Sequence, residues 1–273
     1  MAGERPWRQY PSRGYEISTA TTPAQLLQKL AQGEVISYSL TLVDGQSFKQ
    51  FRQVLKQQAK LKQLTPDWSA EEILKAVNAS YDHPEGLFYP DTYHYTSSDS
   101  DLDILVRAHQ RMSKLLAEAW AERAADLPYQ SAYEALIMAS IIEKETGVAW
   151  ERPEIAGVFV NRLRRSMRLQ TDPTVIYGLG DAYQGNITRQ HLTTTTPYNT
   201  YRISGLPPTP IANPGLPAIE AALHPAATDK LYFVARGDGS HYFSSTLQEH
   251  QQAVKQYQLN RRADYRSAPA REQ

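Results

Sequence analysis

No cysteine occurs among the 273 residues, so disulfides and thiolate metal sites are excluded and an oxidising compartment poses no hazard. An excess of charge of one sign is also lacking. The 29 basic and 29 acidic residues cancel, which argues against a broad electrostatic footprint for nucleic acid or an anionic membrane and favours a neutral polymer. No apolar run approaches the roughly 18 residues of a transmembrane helix, and the start, MAGERPWRQYPSRGYEI, has no signal-peptide core. The protein is therefore cytoplasmic, or an export and anchoring segment lies outside this sequence. There is no His-Glu-x-x-His, no glycine-rich phosphate loop and no Gly-x-Ser-x-Gly elbow, which leaves zinc proteolysis, nucleotide hydrolysis and the common serine-hydrolase design without local support. No internal repeat or low-complexity tract is present.

Phenylalanine is sparse, six residues, while tyrosine is abundant, seventeen. Tyrosine offers a flat face and a hydroxyl, the pair of features that sugars use, although strand-rich packing would use it equally. With 41% hydrophobic residues the chain can bury a sizeable core in one large or two modest domains.

The pattern predicts an α+β protein. A strand near Tyr15 to Ser18, a helix from Pro23 to Gln32, a turn at Gly33 and a strand from Val35 to Val43 form a small first unit. Helices follow from Ser47 to Lys60 and from Ser69 to Ser80, then the irregular loop HPEGLFYPDTYHY, suited to plugging or lining a cleft. A long helix is expected over 100–126, with His109 as a core or boundary residue. Pro153 opens another helix with Ile155, Val158, Phe159 and Leu163 on its buried stripe and Asn161 and Arg162 off it. Asp172 and Pro173 fit a helix cap and first residue. The stretch TTTTPYNTYRISGLPPTPIANPG is long, irregular and typical of a binding edge; a helix from Pro217 to Leu223 and two short strands around Gly237 to Gly239 complete the reading. His224 and His241 could touch substrate or serve as structural histidines.

The most informative segment is Ser131 to Gly147, SAYEALIMASIIEKETG. Ser131 with Glu134 predicts a capping box and Gly147 a stop, which sets a helix from about residue 132 to about 146. Glu145 follows Met138, Ile141 and Ile142 at spacings of seven, four and three, so it continues the apolar stripe, while Glu143 points roughly 200° away. Burial and the negative end of the helix dipole both raise the pKa of Glu145, and a carboxylic acid still protonated near neutrality is what breaking a sugar linkage requires. The same Glu-Lys-Glu ending also suits a solvated helix end.

Taken together, ASIIEKETG, VFVNRL, LQTDPTVIYG, TPYNTYRISGLPPTPIANPG, ALHP and LYFVA, in this order and spacing, resemble the endolytic murein transglycosylase family, also called YceG-like. EGLFYPDTY and the segment from Gly14 to Val43 resemble that family's preceding regions, so the likeness covers nearly the whole chain. The resemblance implies a helix-rich catalytic domain with short strands over 131–262, a partial LysM-like α/β unit over 1–43, a helical region with the aromatic loop over 44–130 packed on the catalytic domain, and a tail over 263–273. It implies cleavage of the β-1,4 bond between N-acetylmuramic acid and N-acetylglucosamine without water, leaving 1,6-anhydro-muramyl ends. One carboxyl group, Glu145, serves as acid and then as base, with Glu143 as the fallback. Gln170, Thr171, Asp172, Tyr198, Asn199 and Tyr201 are expected around the sugars, with Glu85 a further candidate. No second carboxylate announces itself, so the substrate's own 2-acetamido group fits better as the stabiliser of positive charge. No cofactor, metal or nucleic acid enters this expectation. The partners are peptidoglycan strands and peptidoglycan synthases, at the periplasmic face of the inner membrane through an anchor absent from this sequence, the chain itself being soluble. Two alternatives stay open: a lysozyme-like hydrolase in which Asp172 or Glu85 assists water, and a catalytically silent murein-binding scaffold.

Overall fold

The computed structural model describes Gly14, residues 21–32 and residues 35–260. The strand expected at Tyr15 to Ser18, the turn at Gly33 and the tail over 263–273 lie outside those residues. Helix α1, Pro23–Gln32, buries none of its residues. Strand β1, Tyr38–Thr41, pairs antiparallel with β2, Thr92–Tyr95, with Leu40 opposite Tyr93. Between them lie α2, Phe48–Lys56, and α3, Ala70–Ala76, each opened by a complete capping box, Ser47 with Gln50 and Ser69 with Glu72. The boundary expected at residue 43 therefore falls inside a hydrogen-bonded unit. Thr41 and Thr92, whose hydroxyls share a 2.9 Å hydrogen bond, are 51 residues apart, and β2 lies at the end of what reads locally as an irregular loop.

Helix α4, Asp101–Ala121, is shorter than expected. The buried carboxylate of Asp101 accepts hydrogen bonds from the Leu64 N–H (2.8 Å), the Thr65 N–H (3.0 Å) and the Thr65 hydroxyl (2.7 Å), tying α4 to the approach to α3. His109 is buried, with Nδ1 3.1 Å from the Leu87 carbonyl, and so belongs to the core.

Helix α5, Ala132–Glu145, runs through the centre of the molecule. All eight residues from Ala135 to Ile142 are buried, so it has no solvent face along this stretch. Helix α9, Leu216–Leu223, lies along it, and Ala218, Ala221 and Ala222 let the two approach closely. Helix α6, Arg152–Arg164, is also buried on more than its predicted stripe: Arg162 is 7% exposed, and the Asn161 amide donates to the Thr228 and Lys230 carbonyls at 2.8 and 3.0 Å. Gly157 of α6 sits where a Cβ would stand 2.6 Å from the Ala226 carbonyl oxygen, so a hydrogen there permits the close crossing.

Beyond α6 come α7, Asp172–Leu179, the short α8, Arg189–Thr193, then α9 and an antiparallel hairpin of β3, Tyr232–Ala235, with β4, His241–Ser244. Helix α10, Leu247–Val254, follows and ends in one π-helical turn, Lys255–Leu259. No described helix is long and apolar enough to cross a membrane. The C-terminal end of α5, the start of α7, the β3–β4 hairpin and α10 converge on one cleft.

Candidate active site

Glu145 is the last residue of α5. The helix ends because Thr146 turns to an extended conformation (φ −143°, ψ 137°), not through a left-handed glycine at Gly147. The Thr146 hydroxyl donates to Glu151 at 3.1 Å and accepts from the Val148 N–H at 2.9 Å, which fixes the chain as it leaves the helix. At the other end only half the expected capping box forms. Ser131 accepts from the Glu134 N–H, while the Glu134 carboxylate reaches past it to the Gln130 N–H at 2.6 Å.

Glu145 opens onto a cleft of about 710 Å³, shared with Gln170, Thr171, Asp172, Tyr201, Tyr232 and His241 among others. Burial pushes its pKa up to about 7, and the charge of Asp172 adds to the rise; the Thr171 hydroxyl, which donates to Oε1, and the Arg162 guanidinium pull the other way. The result is a carboxyl group that holds a proton near neutrality and faces open space. Glu143 has a different fate from the solvated position its angle suggests. Its side chain is 8% exposed, Oε2 accepts from the Gly215 N–H at 3.1 Å, and Arg152 lies 4.0 Å from Oε1. The direction was legible, but because α5 is central, that direction is also protein.

The cleft floor is built around the loop before α7. Thr171 is the N-cap residue, so Asp172 and Pro173 each fall one position later than expected. The Thr171 side chain makes no cap bond because it is turned to Glu145. Its backbone is held by threonines instead: its N–H donates to Thr200 Oγ1 (3.0 Å), and the Thr174 hydroxyl donates to its carbonyl (2.8 Å). Gln170 adopts φ +53°, a left-handed conformation that costs a non-glycine residue about 1–3 kcal/mol and must be held by its surroundings. Arg162 does much of that holding. Its Nη1 donates to the Arg168 and Leu169 carbonyls (3.0 Å each) and to Gln170 Oε1 (3.2 Å), its Nε donates to the Leu231 carbonyl (2.6 Å), and its guanidinium lies over the Tyr232 ring at 5.1 Å.

Two further pairs shape the walls. The Tyr201 hydroxyl donates to Asp172 Oδ1 at 2.7 Å, and burial together with this bond raises the tyrosine pKa, so the phenol stays a donor. Opposite, Glu151 is fully buried and accepts from the His241 N–H (2.7 Å) and from His241 Nδ1 (2.8 Å). A carboxylate only accepts, so Nδ1 carries the hydrogen, and Nε2 has no partner among the described residues. Sequence reasoning left His241 between two roles and missed Glu151; the structure makes His241 a paired residue that also lines the cleft.

Of the residues expected around the sugars, Gln170, Thr171, Asp172 and Tyr201 meet at the cleft with Glu145. Tyr198, Asn199 and Glu85 do not line it. Tyr198 shares a 2.8 Å hydrogen bond with Thr209 and packs edge-on against Tyr177. Asn199 is 1% exposed, and its amide is spent on the carbonyls of His191, Leu192 and Thr194 and, through Oδ1, on the Tyr201 N–H. Glu85 is sealed in a separate interior network. His224 is exposed at the end of α9, away from the cleft. Among the described residues no cluster of histidine, aspartate and glutamate could hold a metal ion.

The sequence profile of the YceG-like family matches residues 9–256. A Bacillus subtilis (strain 168) protein named endolytic murein transglycosylase is 32% identical over 263 residues, covering 89% of this chain and 72% of that protein. A protein of the same name from Streptococcus pneumoniae serotype 2 (strain D39) is 32% identical over 179 residues, 63% of this chain but only 32% of the streptococcal one. The crystal structure of a YceG-like protein from Listeria monocytogenes superimposes with a TM-score of 0.64 at 33% identity, covering 87% of this chain and 83% of that one. A match that runs almost end to end in sequence, together with a shared fold, means that the chain belongs to the YceG-like family.

Proposed function

We propose that the protein is an endolytic murein transglycosylase, a lyase that cuts within peptidoglycan glycan strands. The observation that carries this reading is Glu145: a carboxyl group with its pKa pushed up to about 7, at a helix end, facing an open cleft of about 710 Å³. The two curated relatives reported above carry that activity in their names.

The chemistry asks one group to act twice. Protonated Glu145 gives its proton to the glycosidic oxygen as the bond from that oxygen to muramyl C1 breaks. The resulting carboxylate takes the proton of the muramyl 6-hydroxyl as that oxygen closes on C1. Glu145 ends protonated, as it began, and no water is consumed. The Thr171 hydroxyl on Oε1 fixes the direction in which the other oxygen faces the substrate. Gln170 and Tyr201 offer hydrogen bonds along the strand.

On this reading the chain works at the periplasmic face of the inner membrane, beside the peptidoglycan synthases whose strands it shortens. Co-purification of those synthases with the protein tests that placement. Mass spectrometry of muropeptides released from purified peptidoglycan tests the reaction. Anhydro-muramyl ends that vanish with Glu145→Gln are expected. Reducing ends would instead identify the lysozyme-like hydrolase, for which Asp172 in the same cleft is the residue to assist water, and no product from either chain would favour a silent scaffold.

A further inference from the structure

When the glycosidic bond breaks, positive charge develops at muramyl C1, and something must offset it on the face opposite the departing oxygen. Among the described residues the cleft is lined by two carboxylates, Glu145 and Asp172. Glu145 is occupied with the leaving oxygen. We propose that Asp172 is the second catalytic carboxylate of this site and that it accepts the N–H of the substrate's 2-acetamido group, so that the acetamido oxygen covers C1 while the bond breaks. This deepens the transglycosylase reading and rests on it.

The site is built to hold that carboxylate in place. Asp172 Oδ1 accepts from the Tyr201 hydroxyl at 2.7 Å. The Tyr201 N–H in turn donates to Asn199 Oδ1 at 3.0 Å, and Asn199 is clamped by three backbone carbonyls and 1% exposed. Oδ2 has no partner among the described residues, and the side chain is exposed in the cleft. Asp172 also follows directly after Thr171, whose hydroxyl fixes Glu145, so two consecutive residues set the spacing of the two carboxyl groups. Its place in the first turn of α7 favours negative charge through the helix dipole. Were Asp172 spent on capping the helix, as its sequence context suggests, none of this would be available; Thr171 takes the cap position instead.

The choice of the acetamido group over C1 itself follows from stereochemistry. The muramyl 6-hydroxyl closes on the face that the β-linked oxygen leaves, so the opposite face must be covered between the two events. The 2-acetamido group lies trans to that oxygen and can reach C1 from there. As the bond from C1 to the leaving oxygen breaks, the acetamido oxygen bonds to C1, and its N–H proton remains shared with Asp172 Oδ2. The 6-oxygen then forms its bond to C1, the acetamido oxygen departs, and the 6-hydroxyl proton goes to Glu145. One consequence is a substrate rule: a muramyl residue lacking its N-acetyl group presents an ammonium that pairs with Asp172 but cannot cover C1, so it is bound and not cut.

The experiment measures anhydro ends released by the wild-type chain, Asp172→Asn and Tyr201→Phe from peptidoglycan and from chemically N-deacetylated peptidoglycan, with co-sedimentation for binding and thermal melting for folding. The expected result is a kcat about 100-fold lower for Asp172→Asn with KM within about threefold, a loss of about tenfold for Tyr201→Phe, and deacetylated strands that sediment with the wild-type chain but remain uncut. A kcat for Asp172→Asn within about threefold of wild type, or deacetylated strands cut at the normal rate, would overturn the proposal while leaving the transglycosylase reading intact. Azide rescue of Asp172→Ala with a glycosyl azide product would overturn it too, by showing attack of the carboxylate on C1. Reducing ends from the wild-type chain would overturn the transglycosylase reading and this proposal together.

Discussion

Glu145 and Glu85 are two glutamates whose pKa values burial pushes up to about 7, yet their surroundings are opposite. Glu85 is 4% exposed and surrounded by donors: the Phe48 N–H at 2.8 Å, the Asn213 amide at 3.1 Å and the Tyr177 hydroxyl at 3.2 Å. It ties the start of α2 to the loop that runs along α5. Gly86 beside it takes φ +81°, where a Cβ would stand 2.6 Å from Pro210, so the two loops press together. Glu145 has one hydroxyl donor and an open cleft. A raised pKa therefore marks two different things here. In Glu85 it is the cost of sealing a carboxyl inside a structural joint; in Glu145 it accompanies access to substrate, and access is what turns a perturbed acid into a usable one.

Replacing each acid with its amide separates the two roles most directly. Glu145→Gln should reduce anhydro-end formation by about 1,000-fold, and Glu85→Gln should stay within a fewfold of wild type, both read by mass spectrometry of muropeptides. Equal losses would remove the distinction. The next effect is on stability. The folded-state pKa of Glu85 lies above the ordinary value of 4.5, so its contribution is fully present below about pH 4.5 and is lost as pH rises through about 7. Urea unfolding should show stability declining across that window, with about 3 kcal/mol of the decline due to Glu85 and removed by Glu85→Gln, while Glu143 and Glu145 keep contributing with the same sign. Activity has the same sign for a separate reason: Glu145 must be protonated to donate, so kcat should fall as pH rises past about 7.

Smaller effects sharpen the picture around Glu145. Glu151→Ala leaves the His241 N–H, His241 Nδ1 and the Thr146 hydroxyl without their acceptor, which should cost about 2 kcal/mol and lower Tm, with kcat affected through the end of α5. Thr171→Val removes the donor that lowers the Glu145 pKa. The alkaline limb of the rate profile should move to higher pH, with a rate loss of less than tenfold. A limb that moves down would mean that Thr171 does not donate to Glu145.

Much of this was readable along the chain because the signals are local. Ser47 with Gln50 and Ser69 with Glu72 are caps whose partners lie three residues away, and the β3–β4 hairpin turns within a few residues. Helix α5 and its terminal glutamate follow from a cap and a periodicity within one short segment. Strand β2 was not readable, since it becomes a strand only by pairing with β1. Helix α10 was missed despite its Thr246–Glu249 capping box, a local signal that went unused. Glu151 and His241 are 90 residues apart, and nothing in either segment names the other. The burial of Arg162, off the expected stripe, was not legible because that stripe describes one face of a helix that packs on more than one side.

Most of the helices, several of their starts and the fact that a carboxylate closes α5 were legible along the chain, because hydrogen bonds between near neighbours and the period of the apolar residues decide those matters. The sequence could not decide which of Glu85, Glu143 and Glu145 opens to substrate, for burial moves all three in the same direction. The packing of the folded chain made the choice, by placing Phe48, Tyr177 and Asn213 around one, Gly215 and Arg152 against another, and a cleft walled by Asp172, Tyr201 and His241 before the third. Exposure is a property of what packs around a residue, and most of those neighbours come from other segments of the chain.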